Sequence, residues 1–170
     1  MTVVALGVGD PGTGGSAVAL LSVADQVKPD SSDAIARLTS MGVTPWMVTG
    51  DNREVAAAVA REVGIPEANV LAGVKPEGKV DAIRRLQADG AKVAMVGDGV
   101  NDAPALTAAD LGLAMGAGTD VAREAAGVTL MGSSLRQAAA AIELSRQTLR
   151  IIRQNIFWAF FYNAVSYTHL

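Results

Sequence analysis

Residues 92–106 read Lys-Val-Ala-Met-Val-Gly-Asp-Gly-Val-Asn-Asp-Ala-Pro-Ala-Leu. Residues 92–96 predict a strand, Gly97 to Asp102 an acidic turn with two glycines, and residues 103–109 a short helix. A strand followed at once by a polar turn and a helix is the repeating unit of a parallel sheet, and ligands of such sheets bind beyond the carboxyl ends of the strands. The unit recurs on either side. Residues 43–48 predict a strand leading into Thr49-Gly50-Asp51-Asn52 and a helix over residues 52–63, closed by Gly64. Val70-Leu71 predicts a short strand leading into Lys75-Pro76-Glu77-Gly78-Lys79, with a helix over residues 77–86 that carries Val80, Ile83 and Leu86 on one face.

Outward from this centre the alternation continues. Residues 17–23 predict a buried strand, and Pro29-Asp30-Ser31-Ser32 opens a helix marked by Ala34, Ile35, Leu38 and Met41 and stopped by Gly42. Residues 111–115 and 128–131 predict strands around a helix at 121–126. The strands are continuous apolar runs, as strands covered on both faces are, and their connections imply right-handed crossovers. The fold class is α/β, a doubly wound, mostly parallel sheet. The glycine-rich residues 9–15 lack the Gly-Lys-Ser/Thr ending of a phosphate-cradling loop and predict a hairpin turn.

With 170 residues, half of them hydrophobic, the chain can bury a core. A net charge of -3 argues against a nucleic-acid partner. The absence of cysteine excludes disulfide frameworks and thiolate metal sites. The first eight residues carry no signal-peptide pattern.

After Ser133 the pattern becomes one long helix with Leu135, Ala139, Ile142, Leu149, Ile152 and Ile156 along a stripe that Arg146 and Arg153 interrupt and Arg136 and Arg150 flank. Residues 156–161 are almost wholly apolar and contain Trp158 and all three phenylalanines. A spanning helix needs about 20 such residues; the run is roughly half that. Arginines before an apolar run suit the cytoplasmic end of a membrane helix. The competing expectation is an amphipathic core helix with an aromatic end.

Three polar clusters thus fall at strand ends. Together they offer the Thr49 hydroxyl, the Lys79 ammonium, the Asp98 and Asp102 carboxylates and the Asn101 amide around one crevice. Carboxylates between glycines can ligate Mg²⁺, which is usually held by one or two carboxylates plus phosphate. Lysine offsets charge on a transferring phosphoryl group, and a hydroxyl and backbone amides at a helix start donate to its oxygens. Singly, each cluster is a turn, a cap or a solvated residue; their order after successive strands points to phosphoryl chemistry.

Thr49-Gly50-Asp51-Asn52, Pro76 with Lys79, and the string from Gly97 to Leu106 resemble the second half of the phosphorylation domain of P-type ATPases, in the haloacid-dehalogenase-like superfamily. Ala24-Asp25-Gln26-Val27-Lys28 and Ala114-Met115-Gly116-Ala117-Gly118-Thr119-Asp120-Val121-Ala122 match as well, so the resemblance spans roughly residues 17 to 163. It implies that Thr49 and Lys79 are catalytic, that Thr49, Gly50, Asp51 and Asn101 bind phosphate, and that Asp98 and Asp102 hold Mg²⁺, with ATP as the phosphoryl donor. The aspartate that the family phosphorylates stands in an Asp-Lys-Thr-Gly-Thr motif, and no such motif occurs in this sequence. The resemblance implies a fragment, inactive alone, of an ATP-driven heavy-metal translocase.

The string from Gln154 to Asn163 resembles the heavy-metal subfamily, copper(I) and silver members foremost, in which a Tyr-Asn pair lines the transport path. That implies Tyr162 and Asn163 as path residues and copper(I) as cargo, with other soft metals open; simple interfacial anchoring of Tyr162 and Asn163 is the alternative. Residues 1–15 are expected to end a nucleotide-binding domain, 16–132 to form the phosphorylation domain, and 133–165 to be a linker helix entering the membrane. Residues 166–170 depart from the family pattern, so His169 is given no metal role. The implied parent is a multi-pass membrane protein with residues 1 to about 150 on the cytoplasmic side. A soluble haloacid-dehalogenase-like phosphatase would need an Asp-x-Asp after a first strand, and Asp10, Asp25, Asp30 and Asp33 are not so placed. An inert membrane-tethered regulatory domain would have no need of Lys79, Asp98 and Asp102.

Overall fold

The computed structural model describes residues 2–10, 14–23, 26–116 and 118–168. Met1, residues 11–13, Ala24, Asp25, Ala117, His169 and Leu170 lie outside the described residues, and with residues 11–13 so does the middle of the hairpin turn expected over residues 9–15. Strands β1 (Thr2–Asp10) and β2 (Gly14–Val23) pair antiparallel, with Asp10 opposite Gly14, as the glycine-rich turn predicts. The strand expected at residues 17–23 is the second half of β2; among the described residues it pairs with β1, not with a parallel neighbour. A short connection can join only antiparallel strands, so the turn decides the pairing.

The α/β part follows as helix α1 (Ser31–Ser40), β3 (Met47–Val48), α2 (Arg53–Val63), β4 (Val70–Leu71), α3 (Pro76–Ala88), β5 (Ala94–Gly97), α4 (Ala103–Ala108), β6 (Leu111–Met115), α5 (Asp120–Ala125), β7 (Val128–Leu130) and α6 (Leu135–Thr168). Local chemistry sets several of these boundaries. Asn52 caps α2 by accepting from the Val55 amide at 2.9 Å, and Gly64, at φ 84°, ends it in the left-handed conformation that glycine adopts without cost. Pro76 occupies the first turn of α3, where its missing N–H is not needed. Residues 43–46, expected in a strand, are not in one: Pro45 has no amide to give a ladder, and its carbonyl accepts from Asn69 Nδ2 at 3.1 Å.

The ladders of β3–β4 and of β5–β6–β7 are all parallel. They form two sheets, where the sequence predicts one. Helix α3 packs on α4 and α4 on α5, making one layer; α1 packs on α2 and α6, making the other. Among the described residues the strand orders are β3-β4 and β5-β6-β7, and no backbone ladder joins the two sheets.

Each sheet has its own core. Ile35, Ala60, Val63 and Ile65 cluster with Val27, Leu38, Met47 and Val70; Leu113, Met115, Leu130 and Ala138 cluster with Val96 and Ala141. Burying one such aliphatic side chain contributes roughly 1.5–3 kcal/mol. Among the strands whose burial is described, β3 to β7, only β6 has a run of buried residues, Gly112 through Met115; β3 and most of β5 are half-buried. Gly112 lies so close to α4 that a Cβ would sit 2.6 Å from the Leu106 carbonyl oxygen.

At the amino ends of β5 and β6, Asp110 accepts from Lys92 Nζ (2.8 Å), Gln87 Nε2 (2.9 Å) and the Val93 amide (3.0 Å). This draws Val93 toward a side chain and starts β5 at Ala94 rather than Lys92. The hydrogen bonds from Lys92 and Gln87 hold the Asp110 carboxyl well below the usual carboxylate range. A depressed folded-state pKa contributes stability above the unfolded value, about 3.9, and loses it as the pH falls further. Asp110→Asn is therefore expected to lower the urea midpoint of the chain at pH 7, with the gap from the parent sequence narrowing at pH 3. A gap unchanged at pH 3 would assign the loss to something other than the carboxylate charge.

Candidate functional site

The carboxyl ends of β3, β4 and β5 carry the three polar clusters, and backbone hydrogen bonds hold the first two together. The Val74 amide donates to the Thr49 carbonyl at 2.9 Å and the Gly73 amide to the Asp51 carbonyl at 2.7 Å. Within the first cluster, the Thr49 hydroxyl donates to Asp51 Oδ2 at 2.9 Å and accepts from the Asp51 amide at 3.1 Å. Asn52 is engaged as the cap of α2, and the Thr49 hydroxyl is engaged by Asp51.

Lys79 lies in the second turn of α3 and reaches across to the turn after β5, where its Nζ meets Asp102 Oδ1 at 2.6 Å. The two side chains are only 19% and 12% exposed. Asp102 also accepts from the Gly99 amide through Oδ2, at 3.4 Å. A pair so shielded from water interacts more strongly than a surface pair. Gly97 makes this packing possible: a Cβ there would lie 2.7 Å from the Cβ of Asp102.

Asp98 differs from Asp102. It is exposed, and among the described residues no hydrogen bond or ion pair engages its carboxylate. Its backbone is fixed instead, the carbonyl accepting from the Thr119 amide at 3.0 Å, with Gly118 so near that a Cβ would stand 2.7 Å from that oxygen. Asn101 is exposed in the 3₁₀ turn Val100–Asp102, between the two acids.

Among the described residues no three His, Cys, Asp or Glu side chains form a metal cage. One free carboxylate beside a second that is balanced by an ammonium suits a hard divalent cation shared with a phosphate, not one enclosed by protein alone. An open groove of about 860 Å³ runs beside β4, lined by Arg53, Glu67, Val74, Gly78, Asp81 and Arg85 among others. It contains none of Thr49, Lys79, Asp98 or Asp102, so the candidate cluster at the strand ends lies outside that groove.

Tyr162 and Asn163 are not brought to the crevice. Both are exposed on α6, about 40 Å from its start at Leu135 at 1.5 Å per residue. The roles of Gly118 and Thr119 were not drawn from the sequence, although two glycines just beyond the β6 run, Gly116 and Gly118, signal a close backbone approach.

The arrangement is that of a known family. A family model described as a haloacid dehalogenase-like hydrolase matches residues 6–110. The chain belongs to the haloacid dehalogenase-like hydrolase family. It is 57% identical over 155 residues to a probable copper-exporting P-type ATPase V of Mycobacterium tuberculosis, covering 91% of this chain and 20% of that protein. It is 51% identical over 147 residues to a probable copper-importing P-type ATPase A of Enterococcus hirae, covering 86% and 20%. In three dimensions it resembles the crystal structure of a zinc-transporting PIB-type ATPase in an E2.Pi state, with a TM-score of 0.75, 45% identity, and coverage of 82% of this chain and 23% of that one. The chain spans about a fifth of the length of these curated relatives.

The close approach at Gly97 generates a test of the geometry. Gly97→Ala forces Asp102 from its place and is expected to destabilise the chain by about 1–3 kcal/mol, the usual cost of overpacking, as read from urea denaturation. A variant as stable as the parent sequence would mean that Asp102 is not packed against the end of β5.

Proposed function

We propose that this chain is the Mg²⁺- and phosphate-binding part of the phosphorylation site of an ATP-driven heavy-metal P-type ATPase, with copper(I) as the cargo. The observation that carries this is the shielded Lys79–Asp102 pair at the strand ends, with the free Asp98 carboxylate on the same turn, in a chain 57% identical to a protein named a copper-exporting ATPase.

In this reading each group has a task that its chemistry allows. The Thr49 hydroxyl turns from Asp51 to donate to a phosphoryl oxygen, and Gly50 and the Asp51 backbone lie along the same turn. Lys79, held in place by Asp102, offsets charge on the transferring group, and Asn101 orients its oxygens. Asp98, with Asp102, would hold Mg²⁺, which offsets phosphate charge when bound. The nucleophilic aspartate comes from sequence outside this chain. The unpaired edges of β3 and β5 suit a parallel strand that delivers it between Thr49 and Asp98. Residues 1–15 close the nucleotide-binding domain, 16–132 belong to the phosphorylation domain, 133–165 enter a membrane as a linker helix, and 166–170 form an atypical tail. In the described residues no helix is long and apolar enough to cross a membrane, so α6 supplies at most the start of a span. The domain up to about residue 150 then faces the cytoplasm.

Two outcomes test this. Asp98→Asn in the complete protein is expected to lower the phosphoenzyme formed from ATP by at least about 100-fold with an unchanged circular dichroism spectrum. A normal phosphoenzyme level would remove Asp98 from the Mg²⁺ site. Asn163→Ala is expected to lower copper(I)-stimulated ATPase activity severalfold while phosphorylation from inorganic phosphate, which uses the crevice alone, survives. Stimulation of the unaltered protein by Zn²⁺ and not by copper(I) would overturn the cargo assignment and leave the pump intact.

A further inference from the structure

Beyond residue 143, α6 changes electrically as well as in polarity. Its last 25 residues within the helix, 144–168, contain Arg146, Arg150 and Arg153 and no Asp or Glu, in a chain whose net charge is -3. At about 100° per residue, Arg146, Arg150 and Arg153 fall within roughly 60° of arc, and Phe157 and Phe160 continue the same face. Every residue from 144 to 165 is exposed, including Ile151, Ile152, Ile156, Phe157, Trp158, Phe160, Phe161 and Tyr162. Phe157, Trp158 and Phe161 pack on one another, with ring centroids 5.5–6.2 Å apart, and so form one aromatic collar.

The three arginines differ in what they touch. Arg146 donates to the Met41 carbonyl at the end of α1. Arg150 and Arg153 have no ion-pair partner among the described residues. They lie about 4.5 Å apart along the helix axis, and Arg153 is about 6 Å above Phe157. A headgroup layer is roughly 5–7 Å thick on each side of the hydrocarbon. With the aromatic cluster at the hydrocarbon edge, Arg153 stands in that layer, and Arg150, about 10.5 Å above Phe157, lies just beyond it, within a Debye length of the lipid phosphates. Guanidinium binds phosphate bidentately, and each basic residue near an anionic surface contributes about 1 kcal/mol.

We propose that Arg150 and Arg153 form a docking surface for anionic phospholipid headgroups, so that α6 enters the membrane preferentially where such lipids are present. This rests on the reading that α6 enters a membrane, and adds the lipid class. The test uses the complete 170-residue chain and co-flotation with vesicles of phosphatidylcholine alone or with 30% phosphatidylglycerol. Partition into the anionic vesicles is expected to be roughly thirtyfold stronger, two residues at about 1 kcal/mol each. That excess is expected to vanish in Arg150→Gln/Arg153→Gln, to return with both as Lys, and to shrink in 0.5 M NaCl. These residues are exposed and distant from the cores, and circular dichroism reports whether α6 stays helical. Equal flotation with both vesicle types, or a glutamine variant that keeps its preference, overturns the proposal and leaves membrane entry standing. Flotation with neither overturns membrane entry and the proposal together.

Discussion

Lys79 and Asp102 come from successive strand–helix units, and their ion pair ties α3 to the turn after β5. Lys79 stands on α3, which leaves β4; Asp102 ends the turn that follows β5. Since β3 and β5 share no hydrogen bonds and each sheet keeps a separate core, the two sheets are united by side chains and by helices. The ion pair and the packing of α3 on α4 make that union on one face. Removing one partner would leave a charge with little solvent to balance it, which costs more than an exposed pair would.

The same pair arranges the crevice. An unbalanced Lys79 would be drawn to any nearby anion, and an unbalanced Asp102 would repel a phosphate. Paired, they hold an ammonium at a fixed place with most of its charge offset, while Asp98 one turn away keeps its full negative charge exposed. In the proposed function a phosphate with a divalent cation would meet complementary groups on both sides, and a phosphate alone would meet a free carboxylate. Thr49 and Asp51 are arranged similarly: the hydroxyl is held by the carboxylate until a better acceptor is present.

The sequence revealed those parts whose cause is local. Residues 111–115 are a strand as predicted, because an apolar run covered on both faces needs no other instruction. Asn52 and Gly64 mark the ends of α2 as predicted, since a cap and a left-handed residue are set by neighbours within a turn. The placing of the polar clusters after the ends of β3, β4 and β5 was legible because a strand followed by a polar turn is a local pattern. What was not legible depends on distant partners. The pairing of Lys79 with Asp102 spans 23 positions, and β3 shrinks to two residues because Pro45 interrupts it and no second strand lies alongside. Nothing in the sequence singles out Asp110, and only the fold brings Lys92, Gln87 and Val93 to it.

The opposite face of the domain is joined by α6, whose links to the α1 region lie more than 100 positions away and leave no pattern in the sequence. Its buried Ala138 packs on Leu113 and Leu130 in the β5–β7 half. Its polar side meets α1 in the other half: Ser134 bonds Asp30, Arg136 pairs with Asp33, Glu143 pairs with Arg37, and Arg146 reaches the Met41 carbonyl. Most of these links are exposed, and exposed ion pairs contribute about 0–1 kcal/mol each. The tie through α6 is thus made of several weak links, whereas the tie through Lys79 is one shielded link. Small shifts of one half against the other would strain the shielded pair first and be absorbed by the weaker set. Because α6 is anchored in both halves, such a shift alters the direction of the long exposed helix, and a few degrees at its base become ångströms at Tyr162, some 40 Å away.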